Sequence, residues 1–117
     1  METNWKLLES RLGRERCVGF MYMGRVNGIN LYKHGITRTY LNLDDEGNCY
    51  LATRAGCYRH VDFDCELRKL EEILKVFDAT LETPYDDVFV ARRRAALRQQ
   101  GISLLTLQID PNEVIIH

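Results

Sequence analysis

CVGFMYMGRVNGINLYKH, residues 17–34, decides the fold. Two runs rich in apolar and aromatic residues flank Asn27-Gly28. Asn-Gly as a two-residue loop favours a type I′ turn, whose backbone twist matches that of paired strands. The stretch is therefore predicted to be an antiparallel hairpin. Working outward, Gly35 would bend or bulge the second strand, and ITRTYLNL (36–43) continues as the next. DDEGN (44–48) is a tight polar turn into CYLATR (49–54), and Ala55-Gly56 is another, into CYRHV (57–61). Residues 17–61 read as a meander of four or five strands.

Helical periodicity brackets this meander. Trp5, Leu7, Leu8 and Leu12 sit on a short helical pattern ended by Gly13. After the strands, Phe63, Leu67, Leu70, Leu74 and Phe77 recur at four- and three-residue steps, with Ile73 beside them, as one apolar stripe. Asp62 or Asp64 would cap that helix, and Glu71 to Lys75 would pair across one turn. In the next helix Thr83-Pro84-Tyr85-Asp86 would supply the N-cap, first residue and a first-turn carboxylate, with Gly101 just past the end. Its arginines lie in the second half, where the macrodipole favours cations. ISLLTLQI (102–109) reads as a strand and EVIIH (113–117) as another. The expectation is an α+β fold over a single domain, residues 1–117. It is an antiparallel meander of about five to six strands, with two helices of the C-terminal half packed on one face and a short N-terminal helix.

Composition limits the function classes. The chain of 117 residues is 45% hydrophobic and 28% charged, with a net charge of −1, so no overall field favours nucleic acid or an anionic membrane. The charge is uneven: residues 1–60 hold nine Lys/Arg against six Asp/Glu, giving +3, and residues 61–117 hold seven against eleven, giving −4. No targeting segment or membrane-length apolar run is visible, so a cytoplasmic location is expected, with Cys17, Cys49, Cys57 and Cys65 as thiols. No cofactor is expected.

GCYRHVDFDC, residues 56–65, is the densest collection of reactive side chains. On a strand Cys57 and His60, three apart, point to opposite sides and cannot share one metal ion. If Leu43 pairs with Asn48, and Arg54 with Cys57, one sheet face collects Arg38, Tyr40, Cys49, Leu51, Thr53, Tyr58, His60 and Asp62. Leu41, Leu43, Tyr50, Ala52 and Val61 would then form the core face. On the first face Arg38 and His60 would donate to an anion or polar ligand, with Tyr40 and Tyr58 stacking or hydrogen-bonding. Cys49 as nucleophile with His60 as base, or a metal held by these two and Asp62, is the enzymatic or metal-site alternative. An ordinary solvated sheet face is the simpler account of the same mixture.

The second helix is apolar on two sides: Tyr85, Val88, Phe89, Ala95 and Ala96 on one, and Val90 with Leu97 almost opposite. A homodimer interface at Val90, Arg93, Arg94 and Leu97 is expected from this pattern. Arg92, Arg93, Arg94 and Arg98 do not form one stripe, so nucleic-acid binding by residues 92–98 is an alternative and not the favoured reading. The sequence supports a non-enzymatic, homodimeric binding or interaction module, with no membrane partner.

Overall fold

The computed structural model describes residues 3–53 and 56–101. Strands β1 (Phe20–Val26), β2 (Ile29–His34), β3 (Tyr40–Asp44), β4 (Cys49–Ala52) and β5 (Tyr58–Val61) form one antiparallel sheet in chain order. Helices α1 (Lys6–Leu12), α2 (Phe63–Val76) and α3 (Asp87–Gln99) complete the expected α+β architecture. The strands expected at 102–109 and 113–117 lie outside the described residues.

The founding hairpin forms as read. Val26 pairs with Ile29, and Asn27 and Gly28 both take positive φ, 51° and 80°, as a type I′ turn requires. Met23 is bulged out between the Tyr22–Tyr32 and Gly24–Leu31 pairs, which adds twist to this edge strand. β2, however, stops at His34 and does not run through Gly35. The chain turns back at once, closed by the His34 amide donating to Thr39 O at 2.8 Å and the Arg38 amide donating to His34 O at 2.7 Å. Arg38 therefore sits in a turn at φ 61°, a left-handed conformation that costs a residue with a side chain on the order of 1 kcal/mol.

Both later turns are one residue away from the expected pairing, in opposite directions. The Asp44 amide donates to Asn48 O, and the Thr53 amide to Cys57 O. Each loop carries a left-handed glycine before its closing residue, Gly47 (φ 87°) and Gly56 (φ 74°), which is the three-residue hairpin loop with its glycine bulge. Leu43 consequently pairs with Cys49, and Cys49 with Val61. Cys49 and Leu51 move to the core face, and Tyr50 and Ala52 leave it. The two displacements cancel at β5, so His60 still faces the same side as Tyr40.

The helices cover the face that carries Phe20, Tyr32, Leu41, Leu43 and Cys49, and one contiguous apolar cluster results. Trp5 packs on Tyr22 and Tyr32 at 6.4 and 5.7 Å between ring centroids. α2 buries Phe63, Leu70, Ile73 and Leu74, and Phe77 just beyond its end is also buried. Asp62 caps it by accepting the Cys65 amide at 3.0 Å. Lys75 pairs with Glu72 and not Glu71, at 2.9 Å, because both long side chains are solvated and free to choose the nearer neighbour. α3 begins later than expected: Asp86, not Thr83, is its N-cap, accepting the Phe89 amide at 2.9 Å. Thr83 instead closes the preceding turn, its hydroxyl accepting the Thr80 amide at 3.0 Å.

The two-sided α3 settles inward on its narrow stripe. Val90 and Leu97 are only 4% and 6% exposed, buried in the chain's own core, while Val88 is 60% exposed. Val90 and Leu97 are therefore not available to a second copy, contrary to the interface read from the helical wheel. Periodicity identifies two apolar stripes but not which one meets the sheet.

Candidate binding surface

Register positions the surface. Asn42 pairs with Tyr50, and Tyr50 with His60. Alternation along β3 and β5 adds Tyr40 and Tyr58 to the same side, and β2 adds Lys33 opposite Tyr40. This is the face away from the helices. Tyr40, Tyr50 and Tyr58 are half-buried and His60 is exposed. The Lys33 ammonium lies 5.8 Å from the Tyr40 ring centroid, and the Tyr50 and His60 rings are 5.5 Å apart, tilted by 59°. The Tyr50 hydroxyl donates to Asp44 Oδ2 at 2.9 Å, and that bond holds its phenol above the usual range. At the floor Asn42 is 2% exposed. Its side-chain amide donates to Tyr50 O at 3.1 Å, while its Oδ1 is buried without a hydrogen-bond partner.

Of the residues expected on this surface, Tyr40, Tyr58 and His60 are brought together. Arg38 leaves it for the β2–β3 turn. Tyr50 belongs to it and was missed because one residue of register at the 44–48 turn separates the two assignments; Asn42, two residues from Tyr40 on β3, and Lys33, on β2, belong to it as well. The signal was present in Gly47, whose position before Asn48 marks the three-residue loop.

Cys49 is the clearest departure. It lies on the opposite face from His60, although both border a groove of about 420 Å³ at the β5 side of the sheet. Burial pushes its thiol up to about 11, which leaves little thiolate at neutral pH. Cys17 is buried likewise and pushed up to about 11. None of the four cysteines is in a disulfide, and Cys57 and Cys65 are exposed. Among the described residues no group of three His, Cys, Asp or Glu side chains could hold a metal ion. None of the described helices is long and apolar enough to cross a membrane.

No protein-family model matches the chain, and no curated protein or solved structure is significantly similar to it.

The arginines of α3 divide by role. Arg93 pairs with Asp78 at 3.0 Å and lies over the Phe89 ring. Arg94 donates from Nη2 to Ile36 O at 2.8 Å and covers the Phe77 ring, tying α3 to the β2–β3 turn. Both were expected at a dimer interface and are spent instead on contacts within the chain. A second concavity, of about 700 Å³, lies where α1 meets β1 and β2 and is lined by Trp5, Tyr22, Arg25 and Asn30 among others. Three of its polar members are already engaged: Tyr22 donates to Asn30, Asn30 to Leu43 O, and Arg25 to both oxygens of Asp45.

Proposed function

We propose that the protein is a non-enzymatic binding module whose helix-free sheet face, built from Lys33, Tyr40, Tyr50, Tyr58 and His60 over the floor of Asn42, recognises its ligand. One observation carries this reading: the pairing Asn42–Tyr50–His60 gathers three tyrosines, a histidine and a lysine on the single side of the sheet that the helices leave open. Tyrosine offers a large rigid apolar area with a polar tip, the combination favoured at recognition surfaces. The orphaned Asn42 acceptor would reward a ligand that brings a hydrogen-bond donor to the middle of the face. The separation of Cys49 from His60 across the sheet supports binding over thiol catalysis. Four cysteines outside any disulfide support a reducing, cytoplasmic setting.

A homodimer is part of the reading, with its interface relocated. Val18, Met21, Met23 and Val26, all on or beside the edge strand β1, are 42% to 49% exposed. An edge strand carrying that much exposed apolar surface is suited to pairing with its own copy.

The test is an amide-resolved NMR screen of polar aromatic fragments and short peptides against the wild type and the Tyr58→Ala and His60→Ala variants. Hits that shift the amides of β3, β4 and β5, and weaken in both variants, are the expected result. Hits that gather instead at the Trp5–Tyr22 concavity, with affinities untouched by either substitution, would overturn the assignment.

A further inference from the structure

We propose that the end of the molecule formed by the β2–β3 turn and the C-terminal half of α3 is an oxyanion site, in which Arg38, Arg94 and Arg98 hold a phosphate group. The site is separate from the sheet face, and its assignment does not depend on that reading.

Three observations converge. First, the structure collects like charge from distant parts of the chain. The Arg94 guanidinium is pushed below its ordinary value first by burial and then by the charge of Arg38, with Arg98 acting the same way and Tyr85 opposing them. Arg94 is anchored through Nη2 to Ile36 O and lies over Phe77, while its Nε is buried with no hydrogen-bond partner. Second, these arginines form no direct ion pair among the described residues. Arg14, Arg25, Arg93, Lys69 and Lys75 each form an ion pair, whereas among the described residues Arg38, Arg94 and Arg98 form none. The acid nearby, Asp87, takes a hydrogen bond from the Tyr85 hydroxyl, and the Tyr85 ring is packed tightly on Gly35. Third, Arg38 is placed at its turn in a left-handed conformation, φ 61°. Strained backbone at an exposed charged residue is the pattern of a position held for function.

Charges of one sign brought together repel, and an added dianion converts that repulsion into attraction. Guanidinium groups match phosphate geometrically, offering paired N–H donors to paired oxygens. The neighbouring arginines are placed elsewhere: Arg93 is occupied by Asp78, and Arg92 borders a groove with Asp86 and Val88. A terminal phosphate fits that arrangement better than a nucleic-acid backbone, which needs a stripe of cations along its path.

The experiment is a thermal-shift titration with inorganic phosphate against sodium chloride of equal ionic strength, on the wild type, Arg38→Gly and Arg98→Ala. Phosphate is expected to raise the wild-type Tm beyond the chloride control, and each variant to lose most of that increment while keeping the wild-type circular dichroism. Arg38→Gly, which relieves the left-handed backbone, should match or exceed the wild-type Tm without phosphate, so loss of response there is not loss of folding. A phosphate response equal to chloride, or one undiminished in both variants, overturns the proposal. O-phosphoserine and inorganic phosphate, compared by the same method, distinguish an esterified from a free ligand, and tighter binding of either supports the site. An oligonucleotide without terminal phosphates that binds more tightly than both, and equally well to Arg38→Gly, overturns it.

Discussion

His34 shows how one side chain can hold a turn. It is fully buried, and its Nδ1 accepts the Ile36 and Thr37 amides at 3.2 and 3.4 Å, while Phe20 meets its ring edge-on at 4.8 Å. Both donors point at Nδ1, so the ring is neutral with its proton on Nε2. Gly19 packs against that nitrogen so closely that a Cβ would come within 2.6 Å of it. Burial pushes its pKa from 6.5 down to about 4. The unfolded chain thus binds the proton more readily than the folded one, so stability is full above pH 6.5 and is lost as pH falls toward 4, by about 3 kcal/mol in all. Urea unfolding at steps between pH 7.5 and 4.5 should show this slope, and His34→Asn should be less stable at neutral pH but flatter across that window. A second residue-scale outcome concerns the thiols. Iodoacetamide should modify Cys57 and Cys65 of the native protein quickly, and Cys17 and Cys49 only on unfolding, as mass spectrometry of the tryptic peptides would read. Rapid labelling of Cys49 would contradict its place in the core.

At the scale of elements, caps and loop lengths decide what periodicity leaves open. The α2 stripe was legible because its apolar residues repeat at a helical period and its cap, Asp62, directly precedes it. The start of α3 was not, because Thr83-Pro84 and Asp86-Asp87 both resemble helix starts and only the tertiary path chooses between them. Asp86 accepts the Phe89 amide, so Asp86→Ala should cost about 1 kcal/mol, the usual worth of an N-cap. Thr83→Ala should reduce helicity less, because Thr83 serves the preceding turn. Far-ultraviolet circular dichroism during urea unfolding of both variants compares the two losses directly. The hairpins make the same point. Asn27-Gly28 names its own turn, whereas DDEGN allows a three- or a four-residue loop, and one residue of loop exchanges Cys49 for Tyr50 on the open face.

The whole molecule buries one side of the sheet under α1, α2 and α3 and leaves the other open. What remains exposed and apolar concentrates at the β1 edge, where Val18, Met21, Met23 and Val26 stand beside a row of backbone groups unpaired among the described residues. Sedimentation equilibrium should therefore find a wild-type dimer at micromolar concentrations. Met21→Lys with Met23→Lys should give a monomer of unchanged circular dichroism, since charge on an edge strand opposes edge-to-edge pairing. An α3 variant such as Val88→Lys should leave the dimer intact. The reverse pattern would return the interface to α3.

The sequence by itself determined the fold class, the order of the elements and the residues that make each apolar stripe, because those rest on local periodicity and on turns such as Asn27-Gly28 that permit few conformations. It also brought Tyr40, Tyr58 and His60 to one side, through two displacements of register that cancel. Tertiary structure alone decided that Cys49 is core and Tyr50 is surface, that Arg38 leaves the sheet for the β2–β3 turn, and that Val90 and Leu97 face inward. Each of these is a choice between faces. Local patterns define both faces of a strand or helix equally well, and only the burial of one against the rest of the chain breaks the tie.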